Sequence, residues 1–345
     1  MRRLTVIAPV FQEEDLIAEF HAQLLEELDR LHPRYETNVL YVCDPGKDHT
    51  EAQLQSIADS TPRAQVLFLS RRFGHQAALA AGIDHTHADV VVMMDCDLQH
   101  PPSVIPRLIE EFERGAEIVH TIRRYPTGTG FFKRSSSRLF YWLIQALSDT
   151  PIVENAADFR LFSGRVCAVF QTQLRERNQF LRGLFSWVGF RQAYVKFDAP
   201  HRARGTTKYS LSRMIHFAVF GITSFSKKPL RYSIYLGLLS AMLGLSLAAV
   251  TVFQFFAGVR FPAGWATLLA LISLLGGAQL VCLGVLGEYI ASIFDEAKAR
   301  PNYLVESARN FAAITPSPGR AINPEIDSIH RPKAHQYSPP PISGT

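Results

Sequence analysis

Short apolar runs alternate with longer amphipathic stretches over roughly the first 123 residues of the chain. The apolar runs predict β-strands at residues 4–8, 37–42, 66–70, 90–95 and 118–122. The stretches between them predict helices at residues 15–31, 53–59, 76–84 and 104–114. Alternation at this spacing is typical of βαβ units, so the sequence predicts an α/β fold with a mostly parallel sheet.

Two much longer apolar segments follow, at residues 232–257 and 265–290. Each is long enough to cross the hydrocarbon core of a bilayer, and the short connection that contains Arg260 joins them as a hairpin. Cations flank the outer ends of the pair, at Lys227, Lys228, Arg231, Lys298 and Arg300. This bias predicts a transmembrane hairpin with both of its ends in the cytoplasm.

These patterns divide the chain into regions. We predict a cytoplasmic α/β domain at residues 1–210, a juxtamembrane interfacial region at 211–231, transmembrane helices at 232–257 and 265–290, and a cytoplasmic juxtamembrane segment at 291–309. The remaining residues, 310–345, are rich in Pro, Ser and His without apolar periodicity, which predicts a disordered tail.

Smaller apolar stretches refine this division. Residues 139–144 and 214–220 are apolar and have basic neighbours, which is typical of segments that lie on a bilayer surface. The first apolar run is too short for a signal peptide, so we expect the amino-terminal domain to stay in the cytoplasm.

Composition limits the class of protein. With 345 residues, of which 47% are hydrophobic, the chain can form one sizeable α/β core and an additional segment. Its net charge of +5 is modest and locally clustered, so we expect no nucleic-acid partner. Its cysteines form no C-x-x-C pair, which favours a reducing compartment and excludes a thiolate zinc site: Cys43, Cys96, Cys167 and Cys282.

Two carboxylates stand where the buried run at residues 90–95 ends. Asp95 and Asp97 are spaced i, i+2 and project to one side of an extended stretch, and with Gln99 they offer the hard oxygen ligands that suit Mg²⁺ or Mn²⁺. The alternative is a strand end carrying solvated Asp residues. Pro9 and Pro45 end the first two strands, which brings further polar or aromatic residues to the same sheet edge: Phe11, Glu13 and Asp44.

The sequence has neither a G-x-G-x-x-G nor a Walker lysine motif, which excludes the usual dinucleotide and P-loop sites. Charged residues are instead dense after residue 122, at Arg123, Arg124, Lys133, Arg134, Arg138, Asp158, Arg160, Arg202, Arg204 and Lys208. Clustered cations beside a metal-binding strand indicate several phosphate groups to hold. A solvated basic face near a membrane is the alternative.

Several segments together resemble one family. P-V-F-Q-E-E at residues 9–14 resembles the opening motif of inverting family 2 glycosyltransferases, and D-C-D-L-Q-H-P-P at 95–102 resembles their D-x-D-L-Q-x-P-P segment. Four more segments are similar to the branch that acts on polyprenyl phosphates, at residues 70–79, 158–161, 202–209 and 221–226. That branch includes dolichol-phosphate mannose synthases and bacterial undecaprenyl-phosphate glucosyltransferases, and the bacterial enzymes carry a two-helix hairpin at this position.

The resemblance implies a GT-A domain that transfers a sugar, with inversion, from a nucleotide-diphosphate sugar to the phosphate of a membrane polyprenol. It implies nucleotide contacts at Pro9, Phe11, Glu13, Val42, Asp44 and Gln76. It implies Mg²⁺ or Mn²⁺ at Asp97 and Gln99, with Asp95 supporting the metal and the donor. Contacts to the acceptor and the diphosphate are implied at Arg123, Lys133, Ser137, Arg202 and Lys208. Asp95, Asp97, Asp158 and Arg202 form the implied catalytic set, in which Asp158 orients either the sugar or a cation.

The sequence departs from the family pattern in two places, and these leave the donor open. Gln12 stands where the opening motif usually has Asn, and the usual D-D-G-S turn reads Cys43-Asp44-Pro45-Gly46. The leading expectation is a UDP-hexose such as UDP-glucose. The alternatives are GDP-mannose, a UDP-aminosugar, or a catalytically silent paralogue that binds nucleotide sugar or lipid as a scaffold.

The resemblance also implies a setting in the cell. It implies a multi-pass protein of the bacterial inner membrane with the catalytic domain and both termini in the cytoplasm, acting in cell-envelope glycan modification such as lipopolysaccharide biosynthesis. It implies a flippase and a downstream transferase as candidate partners and leaves a homo-oligomer open.

Overall fold

The computed structural model describes residues 1–124, 156–177, 180–198, 226–257 and 264–311. These belong almost entirely to one compact unit, Met1–Asn310. The apolar stretches at 139–144 and 214–220 lie outside the described residues, as does the predicted tail beyond Phe311. The predictions for those segments stay predictions.

An eight-stranded mixed sheet forms the centre of the described structure. Its strands are β1 Arg2–Val10, β2 Tyr35–Cys43, β3 Ala64–Leu69, β4 Val90–Met93, β5 Ile118–Arg124, β6 Ala156–Ser163, β7 Gln192–Asp198 and β8 Val305–Arg309. They lie in the order β7-β5-β6-β4-β1-β2-β3-β8. The block β4-β1-β2-β3 is parallel and β7 is parallel to β5, whereas β6 and β8 run antiparallel to their neighbours. The prediction of an α/β fold with a mostly parallel sheet is confirmed.

Helices follow the parallel strands as the alternation predicted. Their bounds are α1 Ile17–Asp29, α2 Thr50–Ser60, α3 His75–Asp84, α4 Ile105–Glu113, α5 Gly164–Thr172, α6 Leu181–Trp187, α7 Lys228–Phe256 and α8 Trp265–Lys298. The five predicted strands and four predicted helices of the first 123 residues each overlap an observed element of the same type. Periodicity therefore located these elements to within a few residues.

Both faces of the sheet are covered around β1, which is buried along most of its length. Every residue from Leu4 to Val10 is buried, so both sides of the strand contact other parts of the protein. Phe20 of α1 joins the core on one face. On the other face Gly82 of α3 lies against Ile7, and a Cβ at Gly82 would clash with that side chain. Burial on both faces is what a near-continuous apolar run predicts for a central parallel strand.

The two long helices α7 and α8 correspond to the predicted membrane segments. Each contains a span that is long and apolar enough to cross a bilayer, Lys228–Leu247 and Leu274–Lys298. The side chains of these spans are largely exposed in the protein alone. The Tyr289 hydroxyl donates a hydrogen bond to the Ser226 carbonyl oxygen at 2.6 Å, which ties α8 to the segment that precedes α7.

After α8 the chain returns to the sheet and adds β8 antiparallel to β3. The sequence predicts a cytoplasmic juxtamembrane segment at residues 291–309 and does not predict this strand. Side chains on the connection also reach the α/β domain: the Tyr303 hydroxyl donates to Asp84 at 2.8 Å and Asn302 donates to the Glu176 carbonyl at 3.2 Å. The end of α8 is therefore tied to the α/β domain by β8 and by these hydrogen bonds.

Candidate active site

A cavity of about 270 Å³ opens at the carboxyl ends of β1, β2 and β4. Its described lining consists of Pro9, Val10, Phe11, Glu13, Asp44, Arg72, Gly74, His75, Ala78, Asp95, Cys96 and Asp97. Loops that follow different parallel strands meet here because those strands end at the same edge of the sheet. The prediction that Phe11, Glu13 and Asp44 face the same crevice as Asp95 and Asp97 is thereby confirmed.

A larger cavity, of about 510 Å³, lies at the opposite edge of the sheet near Arg2 and Asp89. Its charged side chains pair within the protein: Arg165 approaches Glu117 at 3.7 Å, and Glu113 forms an ion pair with Arg34. The smaller cavity, where carboxylates converge at the carboxyl ends of the strands, is the candidate active site.

A chain of hydrogen bonds holds Asp95. The Leu181 backbone N–H donates to Gln76 Oε1 at 3.2 Å, and Gln76 Nε2 lies 3.3 Å from His75 Nδ1. Because the Gln76 amide group donates to Nδ1, the His75 proton resides on Nε2, which donates to Asp95 Oδ1 at 2.7 Å. This chain fixes the orientation of the Asp95 carboxylate from the amino end of α6.

His100 holds the other side of Asp95. It is completely buried, and its Nδ1 lies 3.4 Å from Asp95 Oδ2. The Asp95 backbone N–H donates to His100 Nδ1 at 2.9 Å, and Arg123 Nη2 lies 2.7 Å from His100 Nε2. Burial lowers the pKa of His100 against the opposing effect of Asp95, which agrees with a neutral ring. Arg123, predicted to contact phosphate, is thus engaged with His100.

The electrostatics favour an ionised Asp95. Burial alone would raise the pKa of this carboxyl, but His100, His75 and Arg123 together lower it far below its usual range. The group is consequently a carboxylate at neutral pH, and its Oδ1 already accepts a hydrogen bond from His75.

Asp97 is the carboxylate that fits a divalent metal ion. Its Oδ1 accepts a hydrogen bond from the Gln99 backbone N–H at 3.1 Å, and the side chain lines the cavity. Arg123 Nη1 donates to Gln99 Oε1 at 3.4 Å, so the side-chain oxygen of the predicted ligand Gln99 is engaged by Arg123. No cluster of three or more His, Cys, Asp or Glu ligands occurs among the described residues. One or two carboxylates are enough for Mg²⁺ when substrate phosphates and water complete its coordination, so the residues present fit such an ion.

Asp44 supports the loop that enters α3. It is only 3% exposed, and its two oxygens accept hydrogen bonds from the backbone N–H groups of Phe73 at 3.0 Å and Gly74 at 2.8 Å. Gly74 has φ +96°, a conformation that glycine adopts without the strain another residue would incur. Asp44 therefore fixes the position of His75 in addition to lining the cavity.

The remaining predicted site residues lie elsewhere. Val42 is completely buried and, like Gln76, is not part of the described cavity lining. Asp158 also lies outside that lining and pairs with Arg182 at 2.9 Å and Arg160 at 3.2 Å. Burial would raise the pKa of Asp158, but the two arginines lower it. Four predicted contacts lie outside the described residues: Lys133, Ser137, Arg202 and Lys208.

Sequence reasoning gave no role to His75, His100 or Arg72. Both histidines lie inside the segments that carried the family resemblance, at 70–79 and 95–102. Their hydrogen-bond partners could not be inferred from the sequence. The pairing of His75 with Asp95 joins residues from two different loops, and only the fold brings those loops together.

Comparison with known proteins identifies the family. The family model described as Glycosyl transferase family 2 matches residues 5–169, and the one described as GtrB C-terminal hairpin matches residues 228–293. A bactoprenol glucosyl transferase of Shigella phage SfX is 38% identical over 307 residues, which covers 89% of this chain and all of that protein (100%). The chain belongs to glycosyl transferase family 2. The resemblance seen in the sequence is therefore confirmed, and the chain is a glycosyltransferase with the GT-A fold.

Other relatives of this family 2 member include a glycosyltransferase of Bacillus subtilis, YkcC, named as uncharacterized, which is 37% identical over 88% of this chain and 93% of its own length. A prophage bactoprenol glucosyl transferase homolog of Escherichia coli is 36% identical over 89% of this chain and 99% of its own length. Among solved structures, glucosyl-3-phosphoglycerate synthase of Mycobacterium tuberculosis with Mn²⁺ and UDP is 20% identical, with a TM-score of 0.41 over 65% of this chain and 79% of that one.

Proposed function

We propose that this glycosyltransferase moves glucose from UDP-glucose, with inversion, to the phosphate of a membrane polyprenol. The observation that carries the proposal is the cavity at the carboxyl edge of the sheet, where an aromatic ring and carboxylates on separate loops converge. The GtrB hairpin match and relatives named as bactoprenol glucosyl transferases support a lipid acceptor and glucose as the sugar.

The cavity offers the groups that a nucleotide sugar needs. Phe11 presents a ring against which a base or ribose can lie, and Glu13 lines the same wall as an acceptor for hydroxyl or base N–H groups. Asp97 would hold Mg²⁺ or Mn²⁺, and His75 and His100 keep Asp95 oriented beside it. When bound, such an ion neutralises charge that develops on the departing diphosphate.

The reaction needs little proton transfer. An oxygen of the acceptor phosphate attacks the anomeric carbon of the sugar, the bond from that carbon to the nucleotide diphosphate breaks, and the diphosphate leaves with the electron pair. Because the acceptor is already an anion, a general base is less important than it would be for an alcohol. The protein must instead hold two phosphate-bearing reactants close together in spite of their repulsion.

The membrane arrangement follows from the hairpin. α7 and α8 would both cross the inner membrane, and the cations at their outer ends would keep the catalytic domain and both termini in the cytoplasm. The acceptor phosphate would then lie at the cytoplasmic surface, within reach of a domain that β8 ties to the end of α8. A homo-oligomer, a flippase and a downstream transferase remain expectations from the sequence.

The test is a reconstitution. Purified full-length protein in nanodiscs would be incubated with undecaprenyl phosphate, Mg²⁺ or Mn²⁺, and UDP-glucose, GDP-mannose or a UDP-aminosugar, and both nucleotide release and sugar in the lipid fraction would be measured. We expect lipid-dependent release with UDP-glucose. Transfer only from GDP-mannose or only from the UDP-aminosugar would show that this compound, and not UDP-glucose, is the donor. Nucleotide binding without transfer from any donor would refute the enzymatic proposal.

A further inference from the structure

Two adjacent arginines in the loop before α3 each stack on a phenylalanine. Arg71 Cζ lies 4.0 Å from the centroid of the Phe73 ring, and Arg72 Cζ lies 3.9 Å from the centroid of the Phe11 ring. Arg72 and Phe11 both line the candidate active site, whereas Arg71 and Phe73 are absent from its described lining. The two pairs thus have similar geometry but differ in their access to the cavity.

The charge of the cavity makes Arg72 unusual. Four carboxylates belong to the described lining, on Glu13, Asp44, Asp95 and Asp97, and Arg72 is the one lysine or arginine among those lining residues. A nucleotide diphosphate entering this space meets strong negative charge, which must be offset by cations for binding to occur.

Among the described residues, Arg123 is the predicted phosphate contact, and its guanidinium is already engaged. Arg123 donates to His100 and to Gln99. The remaining predicted cations, Lys133, Arg202 and Lys208, lie outside the described residues. Among the described residues, Arg72 is therefore the arginine that lines the cavity where the nucleotide donor would bind.

The guanidinium of Arg72 is also available. It is exposed, and none of its N–H groups has a hydrogen-bond partner among the residues that the structure describes. Stacking on Phe11 restricts the guanidinium plane without using any of these donors. A planar guanidinium with free donors matches the paired oxygens of a phosphate group.

We propose that Arg72, held against the Phe11 ring, binds the diphosphate of the nucleotide donor. The inference rests on the proposed function only in requiring a nucleoside-diphosphate donor. Arg72 then contributes to binding of the phosphate groups and not to binding of the base.

The experiment compares ligands that differ only in phosphate number. Binding of uridine, UMP and UDP to the full-length protein in nanodiscs would be measured by calorimetry at constant Mg²⁺, for the wild type and for Arg72→Ala, Arg72→Lys and Arg71→Ala. For Arg72→Ala we expect UDP to bind roughly tenfold more weakly, the size of one charge-assisted hydrogen bond at an exposed site, and uridine to bind as before. Arg72→Lys should recover part of the loss, and Arg71→Ala should match the wild type.

Two results would overturn the inference: unchanged UDP affinity in Arg72→Ala, or an equal loss for uridine and UDP, which would give Arg72 a role at the base instead. Unchanged uridine binding also shows that the variant is folded. If the wild type binds no uridine nucleotide but binds GDP, the UDP donor of the proposed function fails, and the same series with guanosine, GMP and GDP decides the role of Arg72.

Discussion

A Cβ atom placed on Gly46 would lie 3.0 Å from Cγ of Gln12 and 3.0 Å from Oδ1 of Asp48. Gln12 and Gly46 are two of the positions at which the sequence departs from its family pattern, and the fold places them in contact. Gly46 stands where the usual turn has Ser, and Gln12 where the opening motif has Asn. The longer side chain thus occupies space that a side chain at position 46 would need, so the two departures compensate for each other.

This contact predicts coupling between the two positions. Gly46→Ser alone should destabilise the protein by about 1 kcal/mol, because the added atoms crowd Gln12 and Asp48. Gln12 also has φ +56°, which a Gln tolerates less well than Asn. The double variant Gln12→Asn/Gly46→Ser should therefore recover most of that loss. Thermal unfolding of the wild type, both single variants and the double variant measures the coupling, and additive effects would contradict it.

The hydrogen-bond chain to Asp95 predicts a catalytic role for His75. His75→Ala leaves the Asp95 carboxylate without its 2.7 Å partner, and we expect kcat to fall by about ten- to a hundredfold, the scale of one lost charge-assisted hydrogen bond. The Mg²⁺ concentration for half-maximal activity should rise as well, since Asp95 is then free to reorient beside Asp97.

The control for this experiment is His87→Ala. His87 is exposed and lies outside the described lining of the cavity, so its removal should change neither parameter. Gln76→Glu replaces the amide donor to His75 with an acceptor and should reproduce part of the His75→Ala defect. Normal kcat and metal dependence in His75→Ala would show that the chain does not support the reaction.

Asp97→Asn tests the metal assignment. The substitution removes a ligand charge with little change in side-chain volume, so we expect transfer to be lost while membrane insertion and the melting temperature stay near those of the wild type. Mn²⁺ binding followed by electron paramagnetic resonance should weaken in parallel. Activity equal to that of the wild type at limiting metal would exclude Asp97 as a ligand.

The Asp158 ion pairs predict how stability depends on pH. The pKa of Asp158 is lower in the folded protein than its usual value, so this carboxylate stabilises the fold above the unfolded-state pKa and loses that effect as pH falls through the folded value. Asp158→Asn leaves the fully buried Arg160 without this partner and should cost about 3 kcal/mol at neutral pH.

The measurement is the melting temperature between acidic and neutral pH. The difference between the wild type and Asp158→Asn should be largest at neutral pH and should shrink toward acidic pH. Arg182→Lys keeps a cation near Asp158 and should produce a smaller change than Asp158→Asn. A constant difference across the pH range would contradict the role given to the carboxylate.

The return of the chain to the sheet predicts a stabilising role for Asn310. Its Nδ2 approaches the carbonyl oxygens of Ala58 at 2.6 Å and Ala64 at 2.9 Å, which fastens the end of β8 to α2 and β3. Asn310→Ala should cost about 1 kcal/mol locally and speed amide exchange in β8 and β3. Ser307→Ala, an exposed position in the same strand, is the matched control and should leave exchange unchanged.

Hydrogen exchange by mass spectrometry separates these outcomes, because local opening of β8 leaves the central strands protected. If β8 were dispensable, both variants would exchange as the wild type does. Faster exchange confined to β8 and β3 in Asn310→Ala would support the attachment of the hairpin to the catalytic domain.

Local sequence pattern was enough to predict the elements of the first 123 residues and the sheet edge at which the site residues meet. Hydrophobic periodicity is local, so the strands around residues 4–8 and 90–95 and the two long apolar helices could be located without a structure. The rule that parallel strands end at one edge then predicted that Phe11, Glu13, Asp44, Asp95 and Asp97 meet. The motifs added the family, which the comparisons confirm.

The contacts between side chains became known from the folded structure. His75 reaches Asp95, Gln12 lies against Gly46, and β8 pairs with β3 after more than two hundred intervening residues. No local pattern encodes such contacts, because they depend on the order of the strands and on the loop conformations at the sheet edge. The mostly exposed β8 lacks the apolar run that revealed the central strands, so no local pattern predicts it.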